Sequence, residues 1–465
     1  MLHVCYGNQL EVLADQLAEH LDNHGVDPLE PELIAVQGHA VSRWLALRLA
    51  TDRGISANNK MLFPAELLWL LFRRVLPEDV PPFNGFSAQT LAWRVLALLQ
   101  SEQFVSRHAA LAHYLETASP VGQWQLAERL GRQFEQYLIY RPDWIQQWES
   151  EGGTHWQAAL WRRLLTTGDD RHWLNLRTRL VKMMAQEPAA AERLPRRISL
   201  FGLPRLSEVY LGILQTMAVY CDVRIYALNY SSVFWADIVS DKERTRQVLS
   251  DQSGLADYME TGNSLLASLG RQGRAYFGQL LELDALDEEV FHPPASNTLL
   301  GQIQSDIFYL REGSDQGVQR EVEPSDSSIQ IHVCHSPMRE VEVLHDRLLD
   351  QFDRQPDLDP AEVLVLVPDI ETYAAYIEAV FGTLTDDRRI PFRIADCGQS
   401  QRTSLIETFF ALLDMPFGRY DATAVSTPLA EPAIQKQFDL SGTDVDQILY
   451  WVRESGIRWG IDAAD

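Results

Sequence analysis

HVCYGNQLEVLADQLAEHL, His3 to Leu21, has a counterpart far downstream in HVCHSPMREVEVLHDRLLDQF, His332 to Phe352. Each copy opens with a short apolar run ending in Cys5 or Cys334, turns at Gly7 and Asn8 or at Ser336 and Pro337, and continues with apolar residues at three- and four-residue spacing. That is the pattern of strand, turn and amphipathic helix. A second matched pair follows each, DPLEPELIAVQ (Asp27 to Gln37) and PDLDPAEVLVLVP (Pro356 to Pro368). A doubled strand, turn, helix and strand at similar spacing predicts an α/β protein with two related lobes.

Working outward, the first lobe is expected to hold strands at Leu2 to Cys5, Leu33 to Val36, Ile198 to Leu203 and Val223 to Leu228. Between the second and third of these, Pro77 to Pro188 reads as helical throughout and is dense in tryptophan: Trp93, Trp124, Trp144, Trp148, Trp156, Trp161 and Trp173. The first domain is therefore read as 1–313, with a core at about 1–76 and 190–235 and a helical insertion at about 77–189. Ser314 to Ser328 reads as a linker. The second domain, 329–465, is expected to place strands at Ile329 to Cys334, Val363 to Val367 and Phe392 to Ala395 in a core of about 329–420. A helical stretch starts near Asp421, and the chain reads as a fragment of a longer polypeptide.

With 465 residues, 46% of them hydrophobic and 23% charged, the chain is long enough for two or three domains. A net charge of −25 argues against a nonspecific nucleic-acid coat, because phosphate affinity rests on clustered cations. A local basic channel stays open. Lysine occurs only at Lys60, Lys182, Lys242 and Lys436, so nearly all positive charge is arginine. The four cysteines, Cys5, Cys221, Cys334 and Cys397, are far apart beside apolar runs and read as buried, reduced thiols. No signal segment and no membrane-length apolar run is found, so a cytoplasmic location without membrane contact is expected.

The turn after the first strand is where a nucleotide-hydrolysing lobe holds phosphate. Such a loop needs glycines, a lysine and a Ser/Thr. Here it reads YGNQLEV, and no lysine follows a glycine anywhere. The strand at Ile198 ends in Phe201, Gly202 and Leu203, without a carboxylate for magnesium. No ATP site, cofactor or metal centre is expected. His332, Cys334 and His335 have no second cluster to complete a ligand set. No nucleophile motif or two-metal nuclease pattern is present, so there is no catalytic residue to nominate.

LAERLGRQFEQYLIYRPDW, Leu126 to Trp144, is the informative part of the insertion. Leu126, Leu130, Phe134, Tyr137 and Leu138 share one helical face and should be core. Arg129, Arg132, Gln136 and Tyr140 recur on another face, followed by Arg141. The plain reading of that stripe is a solvated surface. The functional one is a ladder that hydrogen-bonds or stacks on unpaired bases. Trp69 and the insertion tryptophans read as core first and base platforms second.

MLHVCYGNQLEVL, EPELIAVQ, QYLIYRPDW, DSSIQIHVCHSPMREVEVLHDRLL and SGIRWGID together resemble the RecC family, the gamma subunit of exodeoxyribonuclease V, over Met1 to Asp465. The resemblance implies two RecA-like lobes of superfamily-1 helicase type that have lost the ATP site, with inserted helical subdomains. It implies a heterotrimer with RecB-type and RecD-type subunits, an ATP-dependent helicase-nuclease serving break repair and recombination. The gamma subunit has no activity of its own there; it splits forked double-stranded DNA, guides the 3′-ended single strand and recognises the Chi octamer. Of the positions associated with that reading surface, Gln37, Trp69, Gln136 and Arg141 match the family pattern, and Phe63 and Glu135 are similar in character. His39, Arg43, Arg132 and Gln133 depart from it. The resulting candidates for DNA contact are Gln37, Phe63, Trp69, Arg129, Arg132, Glu135, Gln136, Tyr140 and Arg141. The alternative is a protein scaffold for the two partners that does not read DNA.

Overall fold

The computed structural model describes residues 1–23, 29–153, 155–167, 170–240, 242–245, 262–313, 322–383, 388–395 and 404–460. The chain forms two compact units, Met1–Ile329 and Gln330–Asp465.

The first unit is built on a six-stranded sheet ordered β3-β2-β4-β5-β1-β6. Its strands are β1 (Leu2–Gly7), β2 (Glu32–Ala35), β3 (Asn59–Leu62), β4 (Arg197–Phe201), β5 (Asp222–Leu228) and β6 (Leu286–Glu289). All neighbours pair in parallel, with Val4 opposite Ile225 and Leu33 opposite Ile198. Parallel strands need crossovers, and helices cover both faces, so the inner strands are apolar on both sides. Val4, Leu33, Ala35, Ile198, Leu200, Val223 and Ile225 pack against α3 (Pro64–Val75), α10 (Trp173–Gln186) and α12 (Glu208–Ala218). On the other face Cys5, Ile34, Phe201 and Tyr226 meet α1 (Leu10–Asn23) and α2 (His39–Arg53). α1 belongs there because Leu13, Ala14, Leu17, Ala18 and Leu21 form one buried stripe. Each such leucine contributes about 1.5–3 kcal/mol.

The chain between β3 and β4 is helical. α4 (Ala88–Leu99), α7 (Pro120–Tyr140), α8 (Pro142–Ser150) and α9 (Trp156–Thr167) enclose a second core of Leu91, Val95, Leu130, Phe134, Leu138, Ile145 and Trp161. Short α5 (Glu102–Val105) and α6 (Ala109–Thr117) connect α4 to α7, and α11 (Pro188–Ala191) precedes β4. Leu130, Phe134 and Leu138 are buried as their spacing predicts. Trp161 is fully buried, but Trp93 is 65% and Trp144 41% exposed, so the core reading of the insertion tryptophans is corrected at those two.

Two strands escaped the sequence reading. β3 (NKML) and β6 (LDEE) are the sheet's edges, each paired on one side only, and their charged residues fit an edge.

In the second unit the helix Pro337–Arg354 begins as HVCHSPMRE suggests: Pro337 takes the first turn and Ser336 Oγ accepts from Arg339 N at 3.3 Å. It packs through Val341, Leu344 and Leu348 around Phe381, which ends the helix Ile370–Phe381. The strands expected at Ile329 to Cys334, Val363 to Val367 and Phe392 to Ala395 do not form; among the described residues this unit holds no strand. The apolar runs are there, but an extended run becomes a strand only beside a partner. Val4 lies between β5 and β6 and is fully buried, whereas its counterpart Val333 is 95% exposed. The helical half of the doubled stretch is therefore present twice and the strand half once.

Candidate nucleic-acid interface

The turn after β1 is a packed joint. A Cβ on Gly7 would stand 3.1 Å from side-chain carbons of Leu13 and Val290. Asn8 Nδ2 donates to the His292 carbonyl at 2.8 Å while its Oδ1 accepts from His292 N at 2.9 Å. Both polar ends of Asn8 are thus spent on the segment that leaves β6. Burial pushes the Cys5 thiol, just before this turn, up to about 12, with the Glu288 carboxylate adding to the shift. Cys5 and Cys221 are buried free thiols, Cys334 is half-buried, and Cys397 lies outside the described residues. Among the described residues no group of His, Cys, Asp and Glu is arranged to hold a metal ion.

Several site candidates sit at the carboxyl ends of the strands, where open parallel sheets leave crevices. Gln37 follows β2 and helps line a cleft of about 230 Å³ together with Tyr6, Gly202, Asn229 and Tyr276. Phe63 directly follows β3 and meets His39 edge-on, with ring centroids 5.0 Å apart. Its N–H donates to Glu66 Oε2 at 3.0 Å, and Pro64 starts α3. Trp69 is set back on α3, half-buried on the core and edge-on to Phe72.

The other candidates lie on α7. Arg129, Arg132, Gln136, Tyr140 and Arg141 are all exposed, as the stripe predicts. Arg132 is paired with Glu128 one turn earlier. Glu135 is held by the fold on one oxygen: its Oε1 accepts from Ala88 N, the first amide of α4, at 3.1 Å. That joins a carboxylate to the positive end of a helix. Arg141 joins α7 to α8, and its guanidinium lies 5.4 Å over the Trp144 ring. Burial pushes the Tyr210 phenol up, and the nearby Tyr140 and Glu135 add to the shift. Tyr210 is in the first turn of α12, which follows the carboxyl end of β4. Glu135's link to Ala88 was missed from sequence, since a contact between two helices leaves no local pattern.

The family model for the RecC N-terminal domain matches residues 2–310, and the model for the fourth domain of RecBCD enzyme subunit RecC matches residues 402–465. The chain belongs to the RecC family. It is 34% identical to RecBCD enzyme subunit RecC of Escherichia coli (strain K12), over 99% of this chain and 45% of that protein. The proteins of the same description from Haemophilus influenzae (strain ATCC 51907 / DSM 11121 / KW20 / Rd) and Mycobacterium tuberculosis (strain ATCC 25618 / H37Rv) are 31% and 29% identical, each over 99% of this chain and over 46% and 43% of their own length. This RecC-family chain thus spans less than half the length of those relatives. Among its described residues no helix is long and apolar enough to cross a membrane.

Proposed function

We propose that this chain belongs to a noncatalytic subunit of a cytoplasmic RecBCD-type helicase-nuclease, assembled with RecB-type and RecD-type subunits. It receives forked duplex, guides the 3′-ended single strand and reads a Chi-like sequence through Gln37, Phe63, Trp69 and the α7 stripe. The first unit is proposed as an inactive RecA-like lobe, with residues 77–189 as an insertion in it. The observation that carries this reading is the row Arg129, Arg132, Gln136, Tyr140 and Arg141, exposed on a helix anchored from behind by Phe134 and by the Glu135 contact to α4. Side-chain amides and guanidinium groups on a rigid support can read base edges, and aromatic planes can hold bases. The packed turn at Gly7 and Asn8 supports a lobe that serves as frame, with ATP turnover left to the partners.

A scaffold that does not touch DNA is the second reading, favoured by the net charge of −25. Photocrosslinking of single-stranded DNA to the 129–141 segment in the assembled complex separates the two. A crosslink there, with no DNA-dependent ATPase from the purified chain, is the expected result. Absence of any crosslink supports the scaffold, and robust ATPase from the chain alone overturns both. Gln136→Ala or Arg141→Ala should alter the response to the regulatory sequence while leaving unwinding largely intact.

A further inference from the structure

Trp93 on α4 is a large apolar side chain left in water, 65% exposed. It is not alone: its ring centroid lies 4.4 Å from that of Trp124 on α7, with the planes inclined at 46°. The two indoles form one wall of a hollow of about 350 Å³ whose polar lining is Gln89, Glu128 and Arg132. Such a volume is at the small end of ligand sites.

The hollow continues the α7 stripe. Trp124, Glu128, Arg132, Gln136 and Tyr140 stand four residues apart, about 6 Å per step along one slowly drifting ridge. Arg132 belongs to both, so the tryptophan pair lies along the same track as Gln136, about 18 Å from it.

The chemistry of the lining narrows the occupant. An anion such as phosphate is poorly served, because the one cation in the lining is already paired with Glu128. An aliphatic helix from a protein would have to bury that ion pair, which costs more than the contact returns. A planar heterocycle fits both halves: its face stacks on indole, its edge meets the Gln89 amide, and the ion pair stays wet at the rim.

We propose that the hollow between α4 and α7 is a base-stacking site for an unpaired nucleotide of single-stranded DNA. It extends the strand's path beyond the candidate reading residues, and it rests on the DNA-guiding function proposed above.

The test uses the 465-residue chain with fluorescein-labelled oligothymidylate, read by anisotropy across a salt series. Trp93→Ala should weaken binding on the order of 5- to 100-fold, the range of a lost base-aromatic stack. Trp93→Phe should restore most of it, and the salt slope should not change, since no phosphate contact is removed. Circular dichroism confirms that the variants fold, and the Phe variant keeps the test valid if Ala does not. Binding by Trp93→Ala equal to wild type, with loss in Arg141→Ala, overturns the stacking site and leaves the DNA-guiding reading standing. No binding of oligothymidylate by the wild type at low salt overturns both.

Discussion

Gly131 of α7 lies against Ala88 of α4 so closely that a Cβ at position 131 would stand 2.5 Å from the Ala88 carbonyl oxygen and 2.9 Å from Ala92 N. The obstacle is backbone, which cannot rotate away as a side chain would. Only glycine lets these helices meet at this distance, and their meeting sets both Glu135 on the α4 amide and Trp124 beside Trp93. Gly131→Ala should therefore destabilise the protein by about 1–3 kcal/mol through overpacking, despite alanine's better helix propensity. Gly278→Ala, where a Cβ meets open space in the helix Arg271–Leu281, should be neutral or stabilising by up to about 1 kcal/mol. Urea denaturation of the two variants measures the contrast, and equal stability would contradict the close approach.

Arg197 at the start of β4 is nearly buried, and its guanidinium meets the Glu32 carboxylate on β2 with two nitrogens. It also donates to the His20 and Leu21 carbonyls at 3.0 and 3.1 Å, in the last turn of α1. Arg197→Met leaves Glu32 charged and enclosed, at an expected cost of about 3–5 kcal/mol. Arg197→Met with Glu32→Leu should recover much of that loss. It should still fall short of wild type by roughly 1–3 kcal/mol, because the hydrogen bonds from Arg197 to the His20 and Leu21 carbonyls are lost with the guanidinium. A double-mutant cycle in urea reads this directly, and additive losses would contradict it.

Burial alone would raise the carboxyl pKa of Glu149 on α8, but hydrogen bonds from His172 and Trp161, both at 2.9 Å, and the His172 charge outweigh it and hold it below the usual range. A depressed folded pKa contributes stability that is present above the unfolded value of about 4.3 and is lost as pH falls through the folded value. Asp222 behaves alike: burial raises it, and the His20 hydrogen bond with the Arg224, His20 and His3 charges more than offsets that. Stability should therefore drop on the acid side of about pH 4. Glu149→Gln should lower stability at neutral pH by about 1–3 kcal/mol and make the acid limb shallower, while the Asp222 contribution persists. Thermal melts from pH 3 to 7 check this, and an unchanged acid limb would exclude Glu149 from it.

How much of this was legible depended on what each residue had to satisfy. Val4, Ile34, Ile198 and Ile225 mark inner strands because a parallel sheet covered on both faces demands apolar residues at every step. Lys60 and Glu288 hid two real strands, since an edge tolerates charge. The opposite error arose at Val333 and Leu366, where the strand pattern is present and the pairing is not. In the candidate interface, spacing along one helix exposed the α7 stripe. It could not expose Trp93 beside Trp124 or Glu135 against Ala88, which sit on different helices and depend on how those helices dock.

Arg141 offers the sharpest test of how the stripe would meet DNA. Its N–H donates to the Tyr137 carbonyl at 2.9 Å and its own carbonyl accepts from Trp144 N at 3.1 Å, so the junction of α7 and α8 fixes its backbone. The side chain lies over Trp144, which presents the guanidinium as an oriented plane. A plane serves a base edge or base face, whereas phosphate is served as well by lysine's point charge. Arg141→Lys should then weaken oligothymidylate binding nearly as much as Arg141→Ala, with little change in the slope of log affinity against log salt. Lysine retaining full affinity, together with a slope shallower by about 0.7 in the Ala variant, would assign Arg141 to a phosphate instead.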